Sequence, residues 1–300
     1  GIEVFHGVEV HKMPECNKER GNNMFDKSMI ESELKQMLAL DFNCNADDFD
    51  KKENIIVVPK EHPGRREYTP KKALFSMVTM GKNVVMNAPE EMHEWLKKGG
   101  IGREGIWLFE HHNLMELEAE LAKYGKCLWQ SHHMFLPKAR MEEVESKFGI
   151  QRGSVDFLKQ EDGVECDEQE VNIGFEIQWF EQKDIHALYG RKEFPNALCD
   201  CFKPERPDVL AVGAVNEGQL VGLAGCSADT QLFWQIGIDV LPEWRGKGIA
   251  TMLVKLLKNE CFRRGAIPFY GTSLSNLGSW HVALGSGFYP AWVEIATKEV

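Results

Sequence analysis

The residues best suited to chemistry lie in one stretch, Asp239-Val240-Leu241-Pro242-Glu243-Trp244-Arg245-Gly246-Lys247-Gly248-Ile249-Ala250-Thr251. An apolar strand runs into a turn with two glycines and two cations, and the turn opens into an amphipathic helix. Unsatisfied N–H groups at such a helix start, aligned with its dipole, favour a phosphate anion. Gly246 and Gly248 let a pyrophosphate approach the backbone without Cβ crowding. Arg245 and Lys247 add positive charge, although a solvated loop cation is an equally ordinary role for Lys247.

Spacing separates the kinds of phosphate site. A P-loop needs Gly-x-x-x-x-Gly-Lys-Ser/Thr. Here Leu241 stands five before Gly246, and Gly248 follows the lysine. A dinucleotide fingerprint needs Gly-x-Gly-x-x-Gly/Ala with an acid about 20 residues on. Thr251 occupies the third small position, and the next strand ends without an acid.

The elements that must position this stretch follow from periodicity. Apolar spacing predicts a helix over 28–40, a short strand at Asn54–Pro59, and a strand pair at 73–80 and 83–86. A helix over 90–98 opens after Pro89, followed by a strand at Ile106–Phe109, a helix over 113–124, a strand at Lys126–Phe135 and a helix over 138–148. From about 150 to 172 the chain turns acidic and irregular, which places a domain boundary there. Beyond it come a strand at 173–179, a helix at 182–190 and a helical segment from Glu193 to Cys201. A hairpin follows at Val209–Val215 and Leu220–Ala224, then a long strand at 231–240. The helix Gly246–Arg264, a strand at Ile267–Tyr270, a short helix at Asn276–Gly285 and a strand at Phe288–Ile295 complete the pattern. Alternating strands and helices imply an α+β (α/β layered) fold. The division expected is an N-terminal α/β domain over 1–165 and a second domain over 170–300.

Bulk properties narrow the partners. The net charge of −11 disfavours nucleic acid and anionic membranes, and leans toward a cationic substrate such as an amine. No apolar run approaches the ~20 residues of a membrane span. The first residues lack the basic and apolar regions of a signal peptide, so the expected compartment is the cytoplasm. The eight cysteines include no Cys-x-x-Cys pair, and Cys199-x-Cys201 has no second pair at zinc spacing, so no metal is expected. The doublets His111-His112 and His132-His133 cannot chelate one ion from a strand, because neighbours point to opposite faces.

Arg245-x-x-Gly248-x-Ala250 after a strand ending in Val240 resembles the acyl-CoA loop of the GNAT N-acetyltransferases. The likeness continues through the strand Ile267–Gly271, Asn276, a helix and Gly287-Phe288, and covers about 170–300. Trp234-Gln235-Ile236-Gly237-Ile238-Asp239-Val240 and Pro268-Phe269-Tyr270-Gly271-Thr272 look like a bacterial branch with an extra N-terminal domain. The resemblance implies a mixed central sheet with two splayed strands flanked by helices, and acetyl-CoA as co-substrate. Pantetheine would run beside Ile238, Asp239 and Val240. Arg245, Gly246, Lys247, Gly248, Ile249, Ala250, Thr251 and Asn276 would hold the cofactor, although Asn276 could equally start the helix. Trp244 would line the channel or pack as an ordinary aromatic.

The resemblance implies acetyl transfer to a primary amine, of a small molecule or a peptide, by direct attack. An alkyl ammonium has a pKa near ~10.4, so a base must help remove its proton. Alternation along 231–240 puts Gln235, Gly237 and Asp239 on one face, with a gap at Gly237. A central-strand carboxylate is costly unless paired, which makes Asp239 a candidate base. The alternative is that Asp239 pairs with Arg245 or holds the turn. Asp229 and Glu176 are weaker candidates. The backbone N–H of Val240 would serve the oxyanion. The family's usual general-acid tyrosine, seven residues past the asparagine, is here Ala283. Ser279, His281, Tyr270 and Tyr289 are the candidate substitutes, Ser279 being as plausibly a helix cap. Two other functions stay open: a non-catalytic acyl-CoA-binding protein, and an acyltransferase using a longer acyl chain.

Overall fold

The computed structural model describes residues 25–67, 73–100, 104–139 and 174–299. Helix α1 (Lys27–Phe42) forms where Ile30, Leu34, Met37 and Leu38 recur on one face. Asp26 caps it by accepting a hydrogen bond from the Met29 N–H at 2.8 Å. The shorter helices are α2 (Glu90–Trp95), α3 (His111–Leu121), α4 (Gln182–Ile185) and α6 (Leu277–Gly285). Helix α5 (Ile249–Arg263) buries Ile249, Met252, Leu253, Leu257 and Cys261 along one stripe. Among the described residues no helix is long and apolar enough to cross a membrane.

One ten-stranded mixed sheet organises the described residues. Its strands are β1 (Ile55–Val57), β2 (Ser76–Thr79), β3 (Val84–Asn87), β4 (Lys126–Pro137), β5 (Glu176–Glu181), β6 (Asp208–Asn216), β7 (Gln219–Ala228), β8 (Phe233–Val240), β9 (Ile267–Ser273) and β10 (Phe288–Glu299). They lie in the order β1-β3-β2-β10-β4-β9-β8-β7-β6-β5. The β6–β7 hairpin turns through Glu217 and Gly218, both at positive φ, as a two-residue hairpin loop requires. Helices α5 and α6 cover one face of the sheet around Val240, Ile236 and Tyr270. Helix α1 covers the opposite face, against Phe233, Phe269, Met134 and Trp292.

Strand β4 lies between β9 and β10, pairing antiparallel with both. The expected boundary near 165–170 falls outside the described residues, and the sheet runs continuously across the two parts it was meant to separate. A buried ionic cluster reinforces the seam. Arg66 Nε meets Asp41 at 2.5 Å, and its Nη2 meets Glu294 on β10 at 2.8 Å.

Most expected elements form at nearly the expected positions, with two differences. No strand forms over Ile106–Phe109. Gly105–Trp107 is a 3-10 turn leading toward α3, with Ile106 55% and Trp107 51% exposed, so these apolar types mark surface. No helix forms over Glu193–Cys201. Pro195 interrupts it, and the segment lies on the sheet held by side-chain bonds described below. The helix expected over 138–148 lies outside the described residues beyond Ala139.

Candidate active site

Strands β8 and β9 are parallel and paired only from Phe233/Ile267 to Ile236/Tyr270. Beyond that point they separate, although β8 continues to Val240 and β9 to Ser273. The register with β7 decides which groups line the gap. Leu241 N–H donates to Val221 C=O at 2.9 Å, so Leu241, Asp239 and Gly237 bond toward β7. The N–H and C=O groups of Ile238 and Val240 therefore point into the opening beside β9. Arg245 Nε donates to the Val240 C=O at 3.0 Å, which ties the turn back onto the strand.

The turn ends the gap with the geometry expected of an anion site. Gly246 and Gly248 have φ of 75° and 79°, a region costly for residues with a Cβ. Gly248 is the N-cap of α5 and supplies no side-chain cap, leaving the first-turn N–H groups of Ile249, Ala250 and Thr251 without a side-chain acceptor. Lys247 Nζ sits 4.4 Å over the Trp244 ring, and that ring packs edge-on against Phe175 at 5.6 Å. Trp244 is therefore in aromatic packing here.

Asp239 is engaged by the chain itself. Its carboxylate accepts from the N–H of Asn196 at 2.6 Å, the N–H of Ala197 at 2.8 Å and Asn196 Nδ2 at 2.7 Å. These bonds take the place of the alternative pairing with Arg245, whose Nε bonds the Val240 carbonyl instead. Gly237 and Gly225 face each other across β8 and β7 and leave a bare patch for that segment. A Cβ on Gly237 would stand 1.9 Å from the Asn196 oxygen, and one on Gly225 would stand 2.4 Å from the Ala197 oxygen. The gap expected at Gly237 is thus filled by backbone.

A cavity of about 380 Å³ opens where the strands part. Gln235, Ile238, Tyr270, Gly271 and Ser279 line its strand and helix side. The segment after Ala197 contributes Cys199, Arg206 and Asp208, and β4 contributes His132 and Met134. Arg206 spans the floor, with Nε 2.6 Å from Asp229, Nη2 3.0 Å from Gln235 Oε1 and Nη1 3.4 Å from Cys199 Sγ. Burial raises the Asp229 carboxyl above its ordinary range against the lowering effect of Arg206. Burial likewise raises Asp208, whose carboxylate takes the Cys199 N–H and the Tyr189 hydroxyl. Burial and Asp208 push the Cys199 thiol up to about 11. Burial also raises the Tyr270 hydroxyl, which is hydrogen-bonded to the Ser279 side chain.

Of the four candidate proton donors, the cavity brings together Ser279 and Tyr270. His281 is exposed on α6, and Tyr289 donates to Glu31 on α1 at 3.2 Å. Ala283 is fully buried in the core. Asn276 caps α6 by accepting from the Ser279 N–H at 3.2 Å, and its side also lines the cavity. Asp229 lies buried under Arg206, and Glu176 is exposed at the far edge strand. Sequence reading missed His132, Arg206 and Asp208. Only for His132 was there a signal: it shares the alternating face of Met134 and Leu136. Among the described residues no group of three or more metal-ligating side chains converges, and the described cysteines are free thiols.

A parallel strand pair that parts over a glycine turn and a helix start leaves an open strand edge leading to an anion-binding turn. Residues 175–288 match the acetyltransferase (GNAT) family, and the chain carries a domain of that family. No curated protein matches. Among solved structures, the chain resembles a GCN5-related N-acetyltransferase-like protein from Streptococcus suis, at 16% identity over 61% of this chain and 66% of that one, with a TM-score of 0.39. A GCN5-related N-acetyltransferase from Kribbella flavida matches at 16% identity over 61% and 63%, with a TM-score of 0.38. The yncA protein of Salmonella typhimurium, solved with its cofactor acetyl-CoA, matches at 14% identity over 42% and 93%, with a TM-score of 0.31. The chain spans 61–66% of the length of the first four structures it resembles.

Proposed function

We propose that this chain transfers the acetyl group of acetyl-CoA to a primary amine by direct attack. The observation that carries the reading is the parting of β8 from β9, which aims the Ile238 and Val240 backbone at one channel. In this reading pantetheine lies along Ile238 to Val240 and bonds the open strand edge. The pyrophosphate sits on the turn Arg245–Ala250 and the first N–H groups of α5, through Thr251. The Val240 N–H donates to the oxyanion that forms on the thioester carbonyl. Asp239 serves as an anchor for Asn196 and Ala197 rather than as the base, since its oxygens already take three donors. In this reading the hydroxyls of Ser279 and Tyr270, which line the cavity, protonate the leaving thiolate. A cavity of about 380 Å³ suits a small amine beside the acetyl group.

The test is thiol release from acetyl-CoA across a panel of small amines, with melting curves in CoA and acetyl-CoA. Turnover with at least one amine supports the reading. Tight CoA binding without turnover on any amine would make the protein a carrier or sensor. No melting shift with either ligand overturns the cofactor assignment altogether.

A further inference from the structure

The proposed acceptor must lose a proton before it attacks, and titratable side chains from both parts of the chain line the cavity. Asp239 is held by Asn196 and Ala197, and Asp229 lies buried beneath Arg206, outside the cavity lining. Asp208 is bound by Cys199 and Tyr189. The Cys199 thiol and Tyr270 hydroxyl are both raised by burial and stay protonated at neutral pH. We propose that His132, delivered to the cavity by strand β4, accepts the proton an ammonium acceptor must lose before it attacks the thioester. The proposal rests on the acyl-transfer reading above.

Register places the imidazole. His132 stands opposite Ser273 of β9 and opposite Glu294 of β10, on the cavity side of the sheet. Its neighbour His133 points to the other face, where its ring lies 4.9 Å from Trp280 of α6. Met134, two residues on, shares the side of His132 and packs at Gly271, where a Cβ would come within 3.0 Å of its sulfur. The strand inserted from the N-terminal part thus builds one wall of the cavity and gives that wall its base.

The charges around the imidazole suit proton uptake. Burial holds His132 below its ordinary value, Arg66 behind it acts in the same direction, and Glu294 opposes them. From β4 itself, His133 is the other titratable neighbour. Across the cavity stand Arg206, Asp208, Cys199 and Tyr270. The imidazole is therefore neutral at pH 7 and able to accept, and Glu294 stabilises the imidazolium once it forms. The steps balance. The ammonium gives one proton to His132, and the amine nitrogen forms the C–N bond as the thioester carbonyl becomes an oxyanion. The C–S bond then breaks, the nitrogen's surplus proton passes through the Ser279 and Tyr270 hydroxyls to the thiolate, and the imidazolium returns its proton to water.

The test reads thiol release against pH for the wild-type chain, H132Q and H133Q, with acetyl-CoA binding followed by melting shift in each. Wild-type kcat/KM should fall on the acid side, with an inflection below about 6.5. H132Q should lose at least about a hundredfold in kcat and lose that inflection while still binding acetyl-CoA, in the range of a removed general base. H133Q should keep both rate and inflection. An H132Q variant that keeps the wild-type rate or the acid limb overturns the proposal, as does an equal loss in H133Q. A wild-type chain that binds no acetyl-CoA overturns the acyl-transfer reading itself and takes this one with it.

Discussion

Asp239 accepts both the main-chain N–H of Asn196, at 2.6 Å, and that residue's side-chain amide, at 2.7 Å. A carboxylate at the end of the central strand thereby pins a segment that lines the cavity from Asn196 to Cys199. Asp239→Ala should lower unfolding free energy by about 2 kcal/mol, in the range for lost hydrogen bonds to a charged group. Turnover should fall with it while the acid limb of the pH profile stays in place. Urea unfolding and a pH–rate series read both effects. A variant that melts normally but has lost nearly all turnover would make Asp239 the base.

Gly248→Val places a β-branched side chain at a φ of 79°, a conformation costing L-residues about 1–2 kcal/mol, on the very N–H groups assigned to the pyrophosphate. The Kd for CoA should rise at least about tenfold, equivalent to 1.4 kcal/mol. Calorimetric titration measures it. An unchanged Kd would put the phosphate elsewhere.

The histidine doublet makes stability depend on pH. Burial holds both His132 and His133 below their ordinary range. Between their folded values and about 6.5 the unfolded chain binds more protons, so stability rises with pH there. Their contribution is present above about 6.5 and is lost as pH falls through the folded values. Unfolding curves from pH 7.5 to 5 should show this decline, and a variant replacing both histidines by glutamine should flatten it.

The two parts of the chain should not fold separately. A fragment spanning 170–300 would strip β4 from both β9 and β10, and β2 from β10. Bare strand edges invite association. Such a fragment should be insoluble or melt without cooperativity, and a soluble fragment with a sharp transition would show the parts to be independent.

The elements from β6 to β10 were legible because their signals are local. The hairpin turn, the glycines of the loop and the stripe of α5 each lie within a few residues of one another. The place of β4 was not legible, because its pairing with β9 and β10 depends on contacts between distant parts of the chain that leave no mark on spacing. The same holds for Arg206 and Asp208, which reach the cavity through the bonds of Arg206 to Asp229 and Gln235 and through the pairing of β6 with β7. Apolar type misled at Ile106 and Trp107, where burial rather than composition decides. Helical periodicity misled at Glu193–Cys201, where Pro195 and the bonds to Asp239 outweigh it.

The insertion of β4 also sets an order of events during synthesis. Residues 126–137 emerge long before β9 and β10, the two strands that will flank them. Until 267–299 have left the ribosome, β4 lacks both strands that flank it and its backbone edges stay open. Such non-local pairing closes slowly and leaves intermediates prone to association. The chain should therefore depend on chaperones more than an acetyltransferase domain whose strands arrive in spatial order.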